Sequence, residues 1–114
     1  MPRDIPVGNG TLLINFDKNY FIRDIYFPHV GKENHVQGNE CKFGVWADGQ
    51  FAWMNQDWEK DLRYIEDTMV TQVTLTHRRL GLQLICNDAV DLYENIYLRK
   101  IAIKNLFDRP REVR

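Results

Sequence analysis

Short runs in which apolar and polar residues alternate, separated by turn-forming residues, extend over most of the chain. Residues 11–16 and 20–27 flank an Asp-Lys-Asn turn, and this pattern predicts a β-hairpin. A second hairpin is predicted for residues 41–47 and 51–54, because the Asp-Gly pair between them supplies the positive φ angles of a tight turn. No segment shows the 3.6-residue period of an amphipathic helix.

The second half of the chain continues in the same way. Residues 68–77 are rich in Thr and Val and alternate, which predicts a strand with one solvated face. Leu82, Leu84 and Cys86 line one face of the strand that follows. Residues 96–106 are apolar on both faces, which is typical of a central strand buried between two layers. The predicted fold class is therefore all-β, an antiparallel β-sandwich or part of one.

Composition narrows the classes of protein to which the chain can belong. Its 114 residues are one domain or less, and 44% of them are hydrophobic, as a folded core requires. Fifteen basic and sixteen acidic residues give a net charge of −1, with no run of basic residues for nucleic acid or an anionic membrane. No apolar segment near the first residue resembles an export signal, so a soluble cytoplasmic protein is expected. Cys41 and Cys86 lack Cys-x-x-Cys spacing and are predicted to be buried thiols.

A polar stretch at residues 29–40 is predicted to be a long loop between strands, a kind of loop that is often functional. His29 and His35 enclose Glu33 and Asn34, a set that could form half of a metal site. No third potential metal ligand lies at a spacing typical of metal sites. Hydrogen bonds that anchor the loop are therefore favoured over metal binding. Neither a metal nor a cofactor is predicted.

The three tryptophans surround the second hairpin, and aromatic faces stack on sugar rings. Trp46 and Trp53 lie on predicted strands in apolar company, which favours core packing. Trp58 stands between Asp57 and Glu59 and is the candidate for a sugar-stacking contact on the surface.

The clustered carboxylates and His77 are the remaining candidates for a catalytic role. Two carboxyls on either side of a glycosidic bond are what sugar hydrolysis requires. The spacing of the carboxylates here fixes no such separation, so a place in solvated turns and caps is favoured for them. His77 is predicted to lie at the surface. The clustered carboxylates are Asp57, Glu59, Asp61, Glu66, Asp67, Asp88, Asp91 and Glu94. Phosphate-binding loops, GxSxG and Cys–His nucleophile patterns are absent from the sequence.

Several motifs nevertheless resemble one known family in the expected order. They are GNGTLLINFD (8–17), RDIYFPHVGKENH (23–35), FGVW (43–46), WEKDLRY (58–64), CNDAVD (86–91) and NLFDRPREVR (105–114). Together these segments cover nearly the whole chain. They are similar to the N-terminal domain of prokaryotic glycoside hydrolases of family 15, which include glucoamylases, glucodextranases and some trehalases.

This resemblance implies a β-supersandwich domain that precedes an (α/α)₆ barrel. In that family the barrel holds the substrate pocket and two Glu residues that act as general acid and general base with inversion. Neither Glu has a counterpart here, and the family's sandwich is itself longer than this chain, so no catalytic residue is carried over. Residues 111–114 are interpreted as the start of a further strand, and the chain as a fragment.

The sequence thus predicts that residues 1–114 form a non-catalytic structural domain of an α-glucan or trehalose hydrolase. The loop with His29, Glu33, Asn34 and His35 is expected to contact the barrel or the rim of its pocket. The expected partner is the rest of the same polypeptide, and a partial sandwich is expected to form homo-oligomers through its open edges. The alternatives are an independent carbohydrate-binding module and a protein-interaction module.

Overall fold

The structure is a computed structural model that describes residues 5–28, 33–36, 41, 43–55 and 57–114. Over these residues the protein is all-β, with ten strands and no helix, as the alternating pattern predicts. The described residues accordingly offer no helix that could cross a membrane. The strands are β1 (Ile5–Gly8), β2 (Leu13–Phe16), β3 (Ile22–Phe27), β4 (Glu33–Asn34), β5 (Gly44–Ala47), β6 (Gln50–Trp53), β7 (Glu59–Tyr64), β8 (Thr71–His77), β9 (Leu82–Val90) and β10 (Tyr97–Asn105).

The described strands form two four-stranded sheets and one two-stranded hairpin. The first sheet has the order β1-β2-β3-β4, the second has the order β10-β9-β8-β7, and β5 pairs with β6. Each of these strand pairs is antiparallel. The arrangement is sandwich-like and confirms the predicted fold class.

The core lies between the sheets and follows from strand alternation. Along β9 every second residue is buried, from Leu82 to Val90, and β8 alternates in the same way. The first sheet and the hairpin supply the opposing side chains. The most deeply buried members of this core are Val7, Ile14, Phe16, Tyr20, Ala47, Met54, Val73, Leu75, Leu80, Leu82, Leu84 and Cys86. Each large aliphatic side chain buried in this way contributes about 1.5–3 kcal/mol relative to exposure.

Both predicted hairpins form, and the turn of the second has the expected geometry. Asp48 and Gly49 adopt φ values of 53° and 75° at the β5–β6 turn. On the other side of β5, Val113 bridges Ala47, and the backbones of Trp46 and Arg114 exchange hydrogen bonds of 2.7 and 2.9 Å. Residues 111–114 therefore begin to pair as a strand, as the sequence indicates.

The prediction for residues 96–106 is wrong in one respect. They form β10, but this strand is the edge of its sheet, and most of its side chains are exposed on both faces. Apolar residues on both faces show what a strand is able to bury. They do not show whether the covering layer is present among the described residues.

Two smaller predictions also need correction. Within the predicted loop, Glu33 and Asn34 form the short strand β4 against β3. Cys41 is exposed rather than buried, while Cys86 is buried, and both thiols are free. Burial raises the pKa of the Cys86 thiol to about 11, so this thiol stays protonated at neutral pH.

Candidate functional site

The predicted contact loop is tied to the first sheet through Asn34. Its side-chain oxygen accepts hydrogen bonds from the backbone N–H groups of Ile25 and Val36, both at 3.1 Å. Its amide nitrogen donates to Asp24 at 3.0 Å. The bonds to Ile25 and Asp24 hold β4 against β3, and the bond to Val36 closes a local turn after Asn34. This is the anchoring role favoured over metal binding.

The two histidines of the loop have different outcomes. His35 is exposed, its ring packs 6.5 Å from that of Phe27, and its Nε2 lies 3.3 Å from the carbonyl oxygen of Phe27. His29 and the side chain of Glu33 lie outside what the structure describes. Within the described part of the chain, no three His, Cys, Asp or Glu residues are grouped as metal ligands.

The predictions for Trp58 and Trp53 are reversed by the structure. Trp58 is 3% exposed, and its indole N–H donates to the carbonyl oxygen of Trp53 at 3.1 Å. Trp53 is 50% exposed on β6 and packs edge-on against Phe51, which is 54% exposed. A buried indole needs an acceptor for its N–H, and the last residue of β6 supplies one. A sugar ring therefore cannot stack on Trp58 in this structure.

The prediction that His77 lies at the surface is also wrong. It is 2% exposed, and its ring packs edge-to-face against Trp58 with the centroids 5.0 Å apart. Its Nδ1 accepts a hydrogen bond from the backbone N–H of Leu80 at 3.2 Å, in the turn after β8. Burial and the nearby Arg79 lower the pKa of His77, so the ring is neutral at pH 7.

Asp88 is the centre of a buried cluster of polar side chains, although the sequence predicts that it lies in a solvated turn. It is fully buried on β9 and accepts hydrogen bonds from four side chains. Tyr20 donates at 2.5 Å, Thr71 at 2.9 Å and Arg99 at 2.8 Å, and the hydroxyl of Tyr97 donates as well. These donors come from the β2–β3 turn, β8 and β10, so one carboxylate connects the two sheets.

Arg99 completes this cluster as the counter-ion of Asp88. Its side chain is 19% exposed. Its guanidinium lies 4.9–5.6 Å from four ring centroids, those of Phe16, Tyr20, Phe43 and Tyr97. Aromatic faces attract a desolvated cation. Burial raises the pKa of Tyr20 and of Tyr97, so both phenols remain donors to Asp88.

Exposed apolar residues follow β10 and are here called the β10 surface. They are Leu98, Ile101, Ile103 and Leu106, which are 54%, 41%, 54% and 42% exposed. Leu98 lies on the opposite face of the strand from Ile101 and Ile103, and Leu106 lies just beyond its end. Ile101 and Ile103 lie beside Cys86 and Leu84 of β9 and share the face that forms the core. The core face thus continues onto β10 without a covering strand among the described residues.

The segment that follows β10 is held by arginines. Arg111 is almost fully buried, pairs with Asp48 at 2.9 Å, and donates to the backbone carbonyls of Gly81 and Leu80. Its guanidinium lies 4.4 Å from the ring centroid of Phe107. Arg109 binds Asp48 as well, at 2.9 Å. This clamp fixes the end of β10 and therefore the position of the β10 surface.

Comparison with known proteins gives one informative similarity. The chain is 29% identical over 104 residues to a protein of Methanocaldococcus jannaschii described as an uncharacterized glycosyl hydrolase. The matched region is 90% of this chain and 16% of that protein, so the chain spans about one-sixth of the relative's length. No family model and no solved structure matches the chain. The comparison links the chain loosely to glycosyl hydrolases.

Proposed function

We propose that this chain is a non-catalytic β-sandwich domain of a family 15 glycoside hydrolase that acts on α-glucans or trehalose. In this role it supports a catalytic barrel and stands N-terminal to it. The similarity to a glycosyl hydrolase over nine-tenths of this chain, but only 16% of the relative, supports the proposal.

The β10 surface is the observation that carries the proposal. A partner that covers the four large apolar side chains on and just after this edge strand is stabilised by about 25 cal/mol for each Å² of apolar surface buried. The backbone edge of a nine-residue strand offers unpaired N–H and C=O groups to the same partner. Lys100 and Lys104 are exposed on β10 and favour a partner that carries acidic residues there.

The loop with Asn34 and His35 is proposed as a second contact with the barrel. Asn34 holds the backbone in place, and His35 is exposed at its end. A carbohydrate-binding module remains the weaker alternative. Trp58 is buried, and the exposed rings of Phe51 and Trp53 meet at 84°, so they present no single flat platform.

The test compares two variants of the complete gene product that each add one positive charge at an exposed apolar residue. Ile103→Lys lies on the β10 surface, whereas Met69→Lys lies in the β7–β8 turn, where the side chain is 58% exposed. Hydrolysis of maltotriose and trehalose is measured after incubation at rising temperature. We expect Ile103→Lys to inactivate several degrees below wild type and Met69→Lys to match it. Equal inactivation of all three proteins, or a gene product without glycosidase activity, would contradict the proposal.

A further inference from the structure

A polar groove of about 450 Å³ lies at the end of β7 and β8, away from the β10 surface. It is lined by Asp57, Glu59, Thr76, His77, Arg78 and Arg79. A smaller extension of about 220 Å³ shares Glu59 and Thr76 and continues along the same strands to Asp61 and Thr74. The two volumes together have the size of a small-molecule site.

Strand register arranges the polar groups of this groove regularly. Glu59 lies opposite Thr76, and Asp61 lies opposite Thr74, all four on β7 and β8. Directly opposed side chains in an antiparallel pair are about 4.5–5.5 Å apart, and successive side chains on one face are about 7 Å apart. Carboxylates and hydroxyls therefore form a small lattice of hydrogen-bonding groups.

The charges of the groove balance. Asp57 and Glu59 supply two carboxylates, and Arg78 and Arg79 supply two guanidinium groups. Arg78 is paired with Glu59 at 2.8 Å. Arg79 is exposed and has no hydrogen-bond or ion-pair partner among the described residues. A groove without net charge and without large apolar side chains in its lining favours neither an ion nor an apolar ligand.

His77 lies at the end of β8 beside the groove, and one nitrogen of its buried ring has no partner among the described residues. Since its Nδ1 accepts from Leu80, the proton of the neutral ring resides on Nε2. This Nε2 is buried and has no hydrogen-bond partner in the described part of the chain. Buried polar atoms in folded proteins are normally satisfied by protein, water or ligand.

We propose that this groove binds a neutral polyhydroxylated molecule, a sugar of one to three rings. Vicinal hydroxyl groups can donate to the carboxylate of Asp57 and accept from the fork of Arg79. The oxygens of Glu59 accept from Arg78 and keep lone pairs for a further donor. The hydroxyl of Thr76, already bonded by Gln83 at 3.3 Å, keeps a proton to donate. This inference does not depend on the β10 surface, and either proposal can fail without the other.

Titration of the purified chain with maltotriose, followed by amide chemical shifts in NMR, tests the site. We expect millimolar binding, with shifts concentrated at Glu59 and at residues 76–79. Arg79→Ala removes an exposed, unpaired side chain and should weaken binding about tenfold, equivalent to about 1.4 kcal/mol. Lys18→Ala, an equal charge change in the exposed β2–β3 turn, should leave the affinity unchanged.

Four results would overturn the inference. The first is the absence of any shift in the groove at tens of millimolar maltotriose. The second is a set of shifts centred on Phe51 and Trp53, which would indicate stacking on the hairpin instead. The third is a groove that responds to inorganic phosphate and not to maltotriose, which would make it an anion site. An Arg79→Ala variant that binds maltotriose like wild type would also contradict it.

Discussion

At the scale of single residues, the Asp88–Arg99 pair has the greatest consequence for stability. A buried carboxylate loses its hydration, and only a full set of hydrogen bonds and a close cation compensate for that loss. Asp88 has both, since four side chains donate to it and Arg99 is its counter-ion. Tyr20 takes part although it must adopt a φ of 64°, a conformation that bulky residues rarely occupy.

Asp88→Asn should therefore destabilise the chain by about 3–5 kcal/mol, because it leaves the Arg99 cation buried without its counter-ion. The free energy of unfolding is measured by urea titration. Asp108→Asn makes the same chemical change at an exposed position and should alter stability by less than about 0.5 kcal/mol. Two variants of equal stability would show that Asp88 does not connect the sheets.

The failures of sequence interpretation at this scale share one cause. Asp88, Trp58 and His77 each carry a polar group, and residues of these types often lie at a surface. Their burial depends on partners far along the chain, such as Tyr20 for Asp88, which no local pattern reveals. Alternation along β9 offered one usable signal, because Asp88 has the same parity as Leu84 and Cys86.

At the scale of elements, the turns can be predicted and the position of a strand within its sheet cannot. The Asp-Gly turn between β5 and β6 forms as expected, since its residues suit a positive φ. The placement of β10 at an edge depends on which strands accompany it. Its apolar pattern correctly indicates that both of its faces are suited to burial.

Two glycines provide a matched test of how the end of β10 packs. Gly49 and Gly81 have φ values of 75° and 66°, but a Cβ would meet open space at Gly49 and would lie 2.4 Å from the ring of Phe107 at Gly81. Gly49→Ala should cost about 1–2 kcal/mol through backbone strain alone. Gly81→Ala should cost about 1–3 kcal/mol more, because Phe107 must also move. Equal urea stabilities for the two variants would show that Phe107 does not pack on this turn.

At the scale of the whole molecule, the described residues form a buried core and an apolar edge strand that no other strand covers. The core between β8, β9 and the first sheet is fully buried, whereas the β10 surface is exposed. An exposed apolar edge strand tends to pair with another chain. We therefore expect the isolated chain to cover this surface by self-association, and the catalytic barrel of the proposed hydrolase to cover it there.

Sedimentation velocity of the purified chain tests this central claim most directly. Wild type should shift from 13.6 kDa towards dimers or larger species as its concentration rises from micromolar to hundreds of micromolar. Ile103→Lys should remain monomeric over the same range, because it places a charge in the centre of the β10 surface, while Met69→Lys should associate like wild type. A wild-type chain that stays at 13.6 kDa at every concentration would contradict the account.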